Sequence, residues 1–223
     1  MNPLQLILGD EEFLIDRATS SIIRAVRSTM QSNPEELPIT KLRAGDVTPS
    51  EISELLSPSL FAEDRVVILA AAGEAGKEAV STIEQAVKEP APGVVLIVIH
   101  SGGGRAKNLV KILKNAGADV TECPKLTKFS EREDFVVNEF RNLGVRPSRD
   151  TVHALLDAIG GDLRELASAV SQLVADTGGR VDPAAVRRYY AGIAGVTGFQ
   201  VADETIAGNT AAALASLRWA LVG

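Results

Sequence analysis

The opening of the chain sets the tightest constraint on its fold. In Leu4-Gln-Leu-Ile-Leu-Gly-Asp-Glu-Glu-Phe-Leu-Ile-Asp-Arg-Ala18, apolar residues alternate at Leu4, Leu6 and Leu8 and predict a strand. Gly9 breaks that strand, and Phe13, Leu14 and Ala18 fall on one side of the helix that follows. A strand, a tight turn and a helix in this order put the turn where an α/β domain receives phosphate, on free N–H groups at the helix start. Binding a nucleotide there would call for glycines, a Lys for the phosphate charge and a Ser or Thr for Mg²⁺. What stands there is Asp10, Glu11 and Glu12. Three carboxylates suit the positive end of a helix dipole and repel a triphosphate. The opening thus predicts a nucleotide-binding scaffold that does not hydrolyse nucleotide.

The pattern then repeats. Ile39 to Arg43 reads as a short strand, and Thr48-Pro49-Ser50-Glu51 as a helix start with a cap, a first-turn proline and a capping box. That helix turns Ile52, Leu55 and Leu56 inward and ends before Pro58. Arg65 to Ala70 is a buried strand, Gly76 to Lys88 a helix, Pro90-Ala-Pro-Gly93 a turn and Val94 to Ile99 a strand. Gly102-Gly-Gly-Arg105 leads into a helix through Leu109, Ile112 and Leu113, and Asp119 to Cys123 is a last strand. Strands alternating with helices imply a mostly parallel sheet covered on both faces. Beyond Pro124 the period changes to helical throughout. Phe135, Val136, Phe140 and Leu143 form one stripe, Ser148 caps a helix through Ile159, Asp162 caps a long helix through Val174, and Pro183 to Tyr190 forms a fourth. Phe199 to Ala207 and Thr210 to Leu221 read as two further amphipathic helices. Two helices cannot enclose a core, so they are expected to pack on a partner or on residues that normally follow.

Composition narrows the function classes. In 223 residues, 45% are apolar but only 4% aromatic, so the core is mainly aliphatic. The start lacks a basic and an apolar leader region, and Val94 to Ile99 is far too short to span a bilayer, which points to the cytoplasm. The net charge of -6 argues against a protein that coats nucleic acid by itself. Residues 105–150 nevertheless carry 10 basic and 7 acidic side chains, whereas residues 1–104 carry 8 and 15, so a polyanion contact would favour the middle. A solvated surface with ordinary charge scatter explains the same numbers. Cys123, the single cysteine, ends an apolar alternation with Ala118 and Val120 and reads as a buried structural thiol. With one Cys, and with His100 and His153 far apart in the pattern, no metal site is expected. The loop His100-Ser-Gly-Gly-Gly-Arg105-Ala-Lys107 has two readings, a phosphate or DNA contact through Arg105 and Lys107 or a flexible strand-to-helix connection. Arg187-Arg188-Tyr189-Tyr190 also has two, a DNA contact or a basic helix end that suits its dipole. No nucleophile, base and orienting acid can be assembled, so no intrinsic catalysis and no cofactor are expected.

Four segments together carry a resemblance. Leu8-Gly-Asp-Glu-Glu-Phe-Leu-Ile15, Ser59-Leu-Phe61 ahead of the strand Arg65 to Leu69, Gly161-Asp-Leu-Arg-Glu-Leu166, and Tyr190 to Phe199 occur in an order and spacing that resemble the delta subunit of the bacterial DNA polymerase III clamp loader. The resemblance implies an AAA+-like α/β domain over residues 1–125 without a functional phosphate loop, a helical lid over 126–194 and the start of a collar domain over 195–223. It implies that most of that collar is absent. It also implies a subunit that binds no nucleotide and opens the ring-shaped sliding clamp, the beta subunit, with an apolar pair that here is Leu60 and Phe61. Pro58 stands where the family often carries another bulky apolar residue. The partners implied are the clamp, the motor subunits and the delta-prime subunit through the collar, with DNA met only indirectly in the assembled complex. The alternative from another class is a nucleotide-dependent enzyme using Gly102 to Lys107.

Overall fold

The computed structural model describes residues 1–29, 37–58 and 64–190, together with Thr205, Thr210 and Leu214. The chain divides into two compact units, Met1–Lys125 and Leu126–Gly223.

The first unit is a five-stranded sheet of β1 (Leu4–Gly9), β2 (Ile39–Arg43), β3 (Arg65–Ala70), β4 (Val94–His100) and β5 (Asp119–Cys123). The order across the sheet is β2-β3-β4-β1-β5 and every pairing is parallel, with Leu4 opposite Leu96, Gln5 opposite Asp119, Ile39 opposite Val66 and Arg65 opposite Val94. Because side chains alternate along a strand, each strand feeds two cores. On one face Leu4 and Leu6, Val67 and Leu69, and Leu96 and Val98 pack with Ile52 and Leu56 of α2 (Pro49–Leu56), Ile83 of α3 (Lys77–Lys88) and Leu109 of α4 (Asn108–Asn115). On the other, Ile7, Val66, Ile68, Ile97 and Cys123 meet α1 (Glu12–Thr29) through Leu14, Ile15, Ala18, Ile22 and Val26.

Two expectations gain detail. Phe13, expected on one side with Leu14 and Ala18, is half-buried as they are, and its ring also lies under the guanidinium of Arg17, whose carbon is 4.5 Å from the ring centre. The apolar stripe of α1 runs through the partly buried Leu14, Ile15, Ala18 and Ile22 to the buried Val26. In β5 only Cys123 is buried, and Val120 is 38% exposed, because β5 is an edge strand.

The second unit contains α5 (Phe129–Asn142), α6 (Arg149–Ile159), α7 (Leu163–Thr177) and α8 (Pro183–Tyr190). Its core is Phe135, Val136, Phe140, Val152, Leu155, Leu166, Val170, Leu173 and Val186. Ser148 and Asp162 cap α6 and α7 as the sequence predicts, accepting from the N–H groups of Thr151 and Glu165 at 3.2 and 2.9 Å. Gly178 ends α7 in the left-handed region, with φ 59° and ψ 36°. Leu143, expected on the α5 stripe, is the residue after the helix and is exposed. Of the two helices expected beyond Gly195, only Thr205, Thr210 and Leu214 are described, each helical; the remainder of 191–223 lies outside the described residues. Among the described residues no helix is long and apolar enough to cross a membrane.

Candidate functional site

In a parallel sheet, ligands bind beyond the carboxyl ends of the strands where neighbouring connections leave on opposite faces. Here that point lies between β1 and β4, since α1 packs on one face and α4 on the other. The turn after β1 is closed from within. Gly9 has φ 147°, and a Cβ there would stand 1.9 Å from the carbonyl oxygen of Cys123. That same oxygen accepts from the backbone N–H groups of Asp10 and Glu11, both at 3.1 Å. The donors that would cradle a phosphate are therefore spent on the end of β5.

The loop after β4 is also occupied by its own protein. His100 is fully buried, and its Nδ1 accepts from the N–H of Gly102 at 2.8 Å. The proton then resides on Nε2, which donates to the carbonyl of Ala106 at 3.2 Å. The Ala106 N–H in turn donates to the carbonyl of Gly73 at 3.0 Å. Gly73 belongs to a 3₁₀ turn, Ala72–Glu74, that follows β3 and was not foreseen; Ala71 enters it at φ 51°, an uncommon conformation for a residue with a Cβ. A Cβ on Gly73 would lie 2.7 Å from the carbonyl oxygen of Gly103, and one on Gly104 2.5 Å from that of Gly73. These glycines permit backbone to lie on backbone.

Charge organises the rim of this edge. Arg43, at the end of β2, donates through Nε and Nη2 to the two carboxylate oxygens of Glu74 at 2.9 and 2.8 Å. These hydrogen bonds hold the Glu74 carboxyl below the usual carboxylate range and raise Arg43. Arg105 donates from Nε to the backbone carbonyl of Glu74 at 2.5 Å, whereas Lys107 is exposed at the head of α4. β3 ends at Ala70 and is followed by Ala71 and Ala72, where a Mg²⁺ ligand would need a carboxylate. Among the described residues no group of three or more His, Cys, Asp or Glu is placed to hold a metal ion. Burial, with Glu122 beside it, raises the Cys123 thiol above its ordinary value.

At the opposite, amino-terminal edge of the sheet, α2 leads to the segment that carries Leu60 and Phe61. Both residues lie outside the described residues, but the segment's two ends are held. Thr48 caps α2 in a reciprocal box with Glu51, and Ser57 closes the helix by donating its N–H to the carbonyl of Glu54 at 3.3 Å. Arg65, the first residue of β3, donates from its guanidinium to the carbonyl of Ser57 and from its backbone N–H to Gly93 at 2.8 Å. The chain leaves at Ser57 and returns at Arg65 with those two residues bonded to each other.

In the helical unit His153 of α6 and Glu133 of α5 are brought together, Nε2 to Oε1 at 2.5 Å, with Arg149 Nε 3.6 Å from the same oxygen. The hydrogen bond from His153 lowers the Glu133 carboxyl. The ring of Phe129 meets His153 edge to face at 5.3 Å. Sequence spacing gave no sign of this cluster, whose members come from different helices. Of the Arg187 to Tyr190 run, Arg188 lies over the Tyr189 ring at 5.9 Å and Tyr190 is buried, its hydroxyl donating to the carbonyl of Ala169 at 3.5 Å.

A parallel five-stranded sheet with helices on both faces, whose carboxyl edge is filled by its own backbone, defines an α/β domain. The family model of the DNA polymerase III delta subunit matches residues 6–124, more than half of the chain, and the chain belongs to that family, the delta subunit of the bacterial clamp loader. The fold agrees: the solved structure of the Bacillus subtilis DNA clamp loader delta protein (YqeN) is similar with a TM-score of 0.74 at 19% identity, over 98% of this chain and 67% of that one. The Thermotoga maritima RuvB Holliday junction branch migration motor is a more distant match, with a TM-score of 0.45 at 11% identity over 83% of this chain and 60% of that one. No curated protein sequence matches the chain.

Proposed function

We propose that this chain is the clamp-opening subunit of the loader, acting by differential binding and not by catalysis. The observation that carries the reading is the family match over residues 6–124, which includes the segment Ser59-Leu60-Phe61 between α2 and β3. Leu60 and Phe61 form an apolar wedge for a pocket on the sliding clamp. Support comes from the anchoring of their segment by Ser57 and Arg65. A segment held at both ends loses less entropy when its apolar side chains bind a partner. The wedge favours the open ring by the difference in its affinity for the open and closed forms.

ATP is used elsewhere in the loader, by the motor subunits. The motor subunits and the delta-prime subunit meet this chain through the collar region that begins near residue 195, and DNA is met indirectly, in the cytoplasmic replisome. The filled turn at Gly9 supports a subunit that binds no nucleotide. The enzyme alternative, resting on Gly102 to Lys107, draws no support from a loop whose glycines pack on Gly73 and whose Arg105 is bonded to Glu74.

The test is the affinity of the chain for the sliding clamp of the same organism, beside the double variant Leu60→Ala, Phe61→Ala, with circular dichroism on both. Tight binding that is lost in the folded double variant bears the reading out. A folded parent chain that does not bind the clamp removes it.

A further inference from the structure

The chain passes from the first unit to the second between Lys125 and Leu126. In the first unit it is held as far as Cys123, which is buried and whose carbonyl accepts from the N–H groups of Asp10 and Glu11. In the second it is held from Leu126 onward by a single side chain. Arg132, in the first turn of α5, donates from Nε to the carbonyl of Leu126 at 3.1 Å and from Nη2 to that of Thr127 at 3.0 Å. We propose that Arg132 is a clasp that makes residues 126–128 part of the helical unit and so confines the joint between the units to Pro124 and Lys125. This inference stands apart from the clamp-binding reading above.

Nε and Nη2 share one edge of the planar guanidinium, and a rigid fork on two successive carbonyls fixes the course of the backbone between them. Glu131 extends the hold by one residue, since its carboxylate accepts from the N–H of Lys128 at 3.0 Å, and the Arg132 N–H donates to the Lys128 carbonyl at 3.3 Å. Leu126, Thr127 and Lys128 are thus each bonded to the first turn of the helix they precede. Across the guanidinium lies Gly161, next to the Asp162 cap of α7; a Cβ there would stand 2.9 Å from Nη1 and 3.1 Å from Cζ of Arg132. Gly161 keeps the space in which the fork lies, which gives that glycine a task of its own beside the cap. Pro124 and Lys125 are exposed, and among the described residues no hydrogen bond ties either of them to a helix or strand. Hinges are a few residues at element ends that absorb changes in φ and ψ. The Pro124 ring fixes its own φ, which leaves its ψ and the two angles of Lys125 to do so. A joint this short passes a displacement of one unit on to the other, whereas a long flexible linker absorbs it.

The experiment is backbone amide NMR relaxation on this chain and on Arg132→Met, Arg132→Lys and Gly161→Ala, with thermal unfolding of each. In the parent the amides of Leu126, Thr127 and Lys128 are expected at the order parameter of a rigid helix, about 0.85, and Lys125 below about 0.6. In Arg132→Met all of them should join Lys125 at the low value. Arg132→Lys, with one ammonium for two carbonyls, and Gly161→Ala, which crowds the fork, should fall between, while α6 and α7 keep their parent values. Should Arg132→Met fail to fold, these two milder variants read the same clasp. A parent in which residues 126–128 are as mobile as Lys125, or one in which Lys125 is as rigid as α5, overturns the proposal. Folded variants in which 126–128 stay as rigid as in the parent overturn it as well.

Discussion

At the carboxyl edge of the sheet the strands end in backbone packed against backbone: Cys123 closes over Gly9, and Gly73 lies between Gly103 and Gly104. At the amino edge, α2 and β3 are clipped together by Arg65 on Ser57. The difference teaches how the two edges of one parallel sheet can be put to different uses. The carboxyl edge becomes structural, as the N–H groups of Asp10 and Glu11, the glycines at 73, 103 and 104, and Arg43 and Arg105 are bonded or packed within the protein. The opposite edge, which in such sheets has no ligand to hold, is free to carry a partner contact.

The contrast breaks most sharply at the wedge. Replacing Leu60 and Phe61 by Ala is expected to weaken clamp binding by about 4 kcal/mol, the scale of two hot-spot side chains. Chemical unfolding of the same variant should match the parent, and a large stability loss would place the pair in the core. At the other edge the expectation inverts. Gly9→Ala forces a Cβ into the Cys123 carbonyl, at a φ that side chains rarely adopt. It should cost about 3 kcal/mol of stability in urea denaturation. Clamp affinity of the folded fraction should be unchanged.

Smaller changes sharpen the comparison. Thr48→Ala removes one half of the α2 capping box, which should cost about 1 kcal/mol of stability in urea melts and leave most of the clamp affinity intact. The pair Arg105→Ala, Lys107→Ala should change stability by no more than about 0.5 kcal/mol, and calorimetry should find no saturable ATP binding before or after it. ATP binding by the parent that the pair abolishes would restore the carboxyl edge as a ligand site. The smallest effect is that of pH on Glu74, whose carboxyl is depressed by the hydrogen bonds from Arg43. A depressed acid contributes stability that is present above its unfolded value and lost as pH falls through its folded value. The parent should therefore exceed Glu74→Gln in stability at neutral pH, and the gap should close below the ordinary carboxylate range. The pair is half exposed, so added salt should shrink the gap as well.

The helical unit holds the same lesson about locality. Its caps at Ser148 and Asp162 act over three residues and were legible in the sequence, as was the buried stripe of α7. The Glu133 to His153 contact joins positions twenty residues apart on two helices, and no periodicity announces it. Phe13 shows the limit from another side. Its ring is half-buried as expected and also takes the guanidinium of Arg17, a contact that apolar periodicity does not announce.

Among the described residues, periodicity, caps and turn residues by themselves determined where the strands and α-helices lie, that the sheet is parallel, and that the first turn lacks phosphate chemistry. These depend on contacts between near neighbours and on side-chain type, both of which can be read in order along the chain. Tertiary structure alone decided the strand order, the closure of Gly9 by a carbonyl more than a hundred residues away, the service of the glycine loop as a packing surface for the 3₁₀ turn, and the clasp of Arg43 on Glu74. Each of these pairs groups distant in sequence whose meeting is fixed by the packing of the whole sheet, and a local pattern carries no record of it.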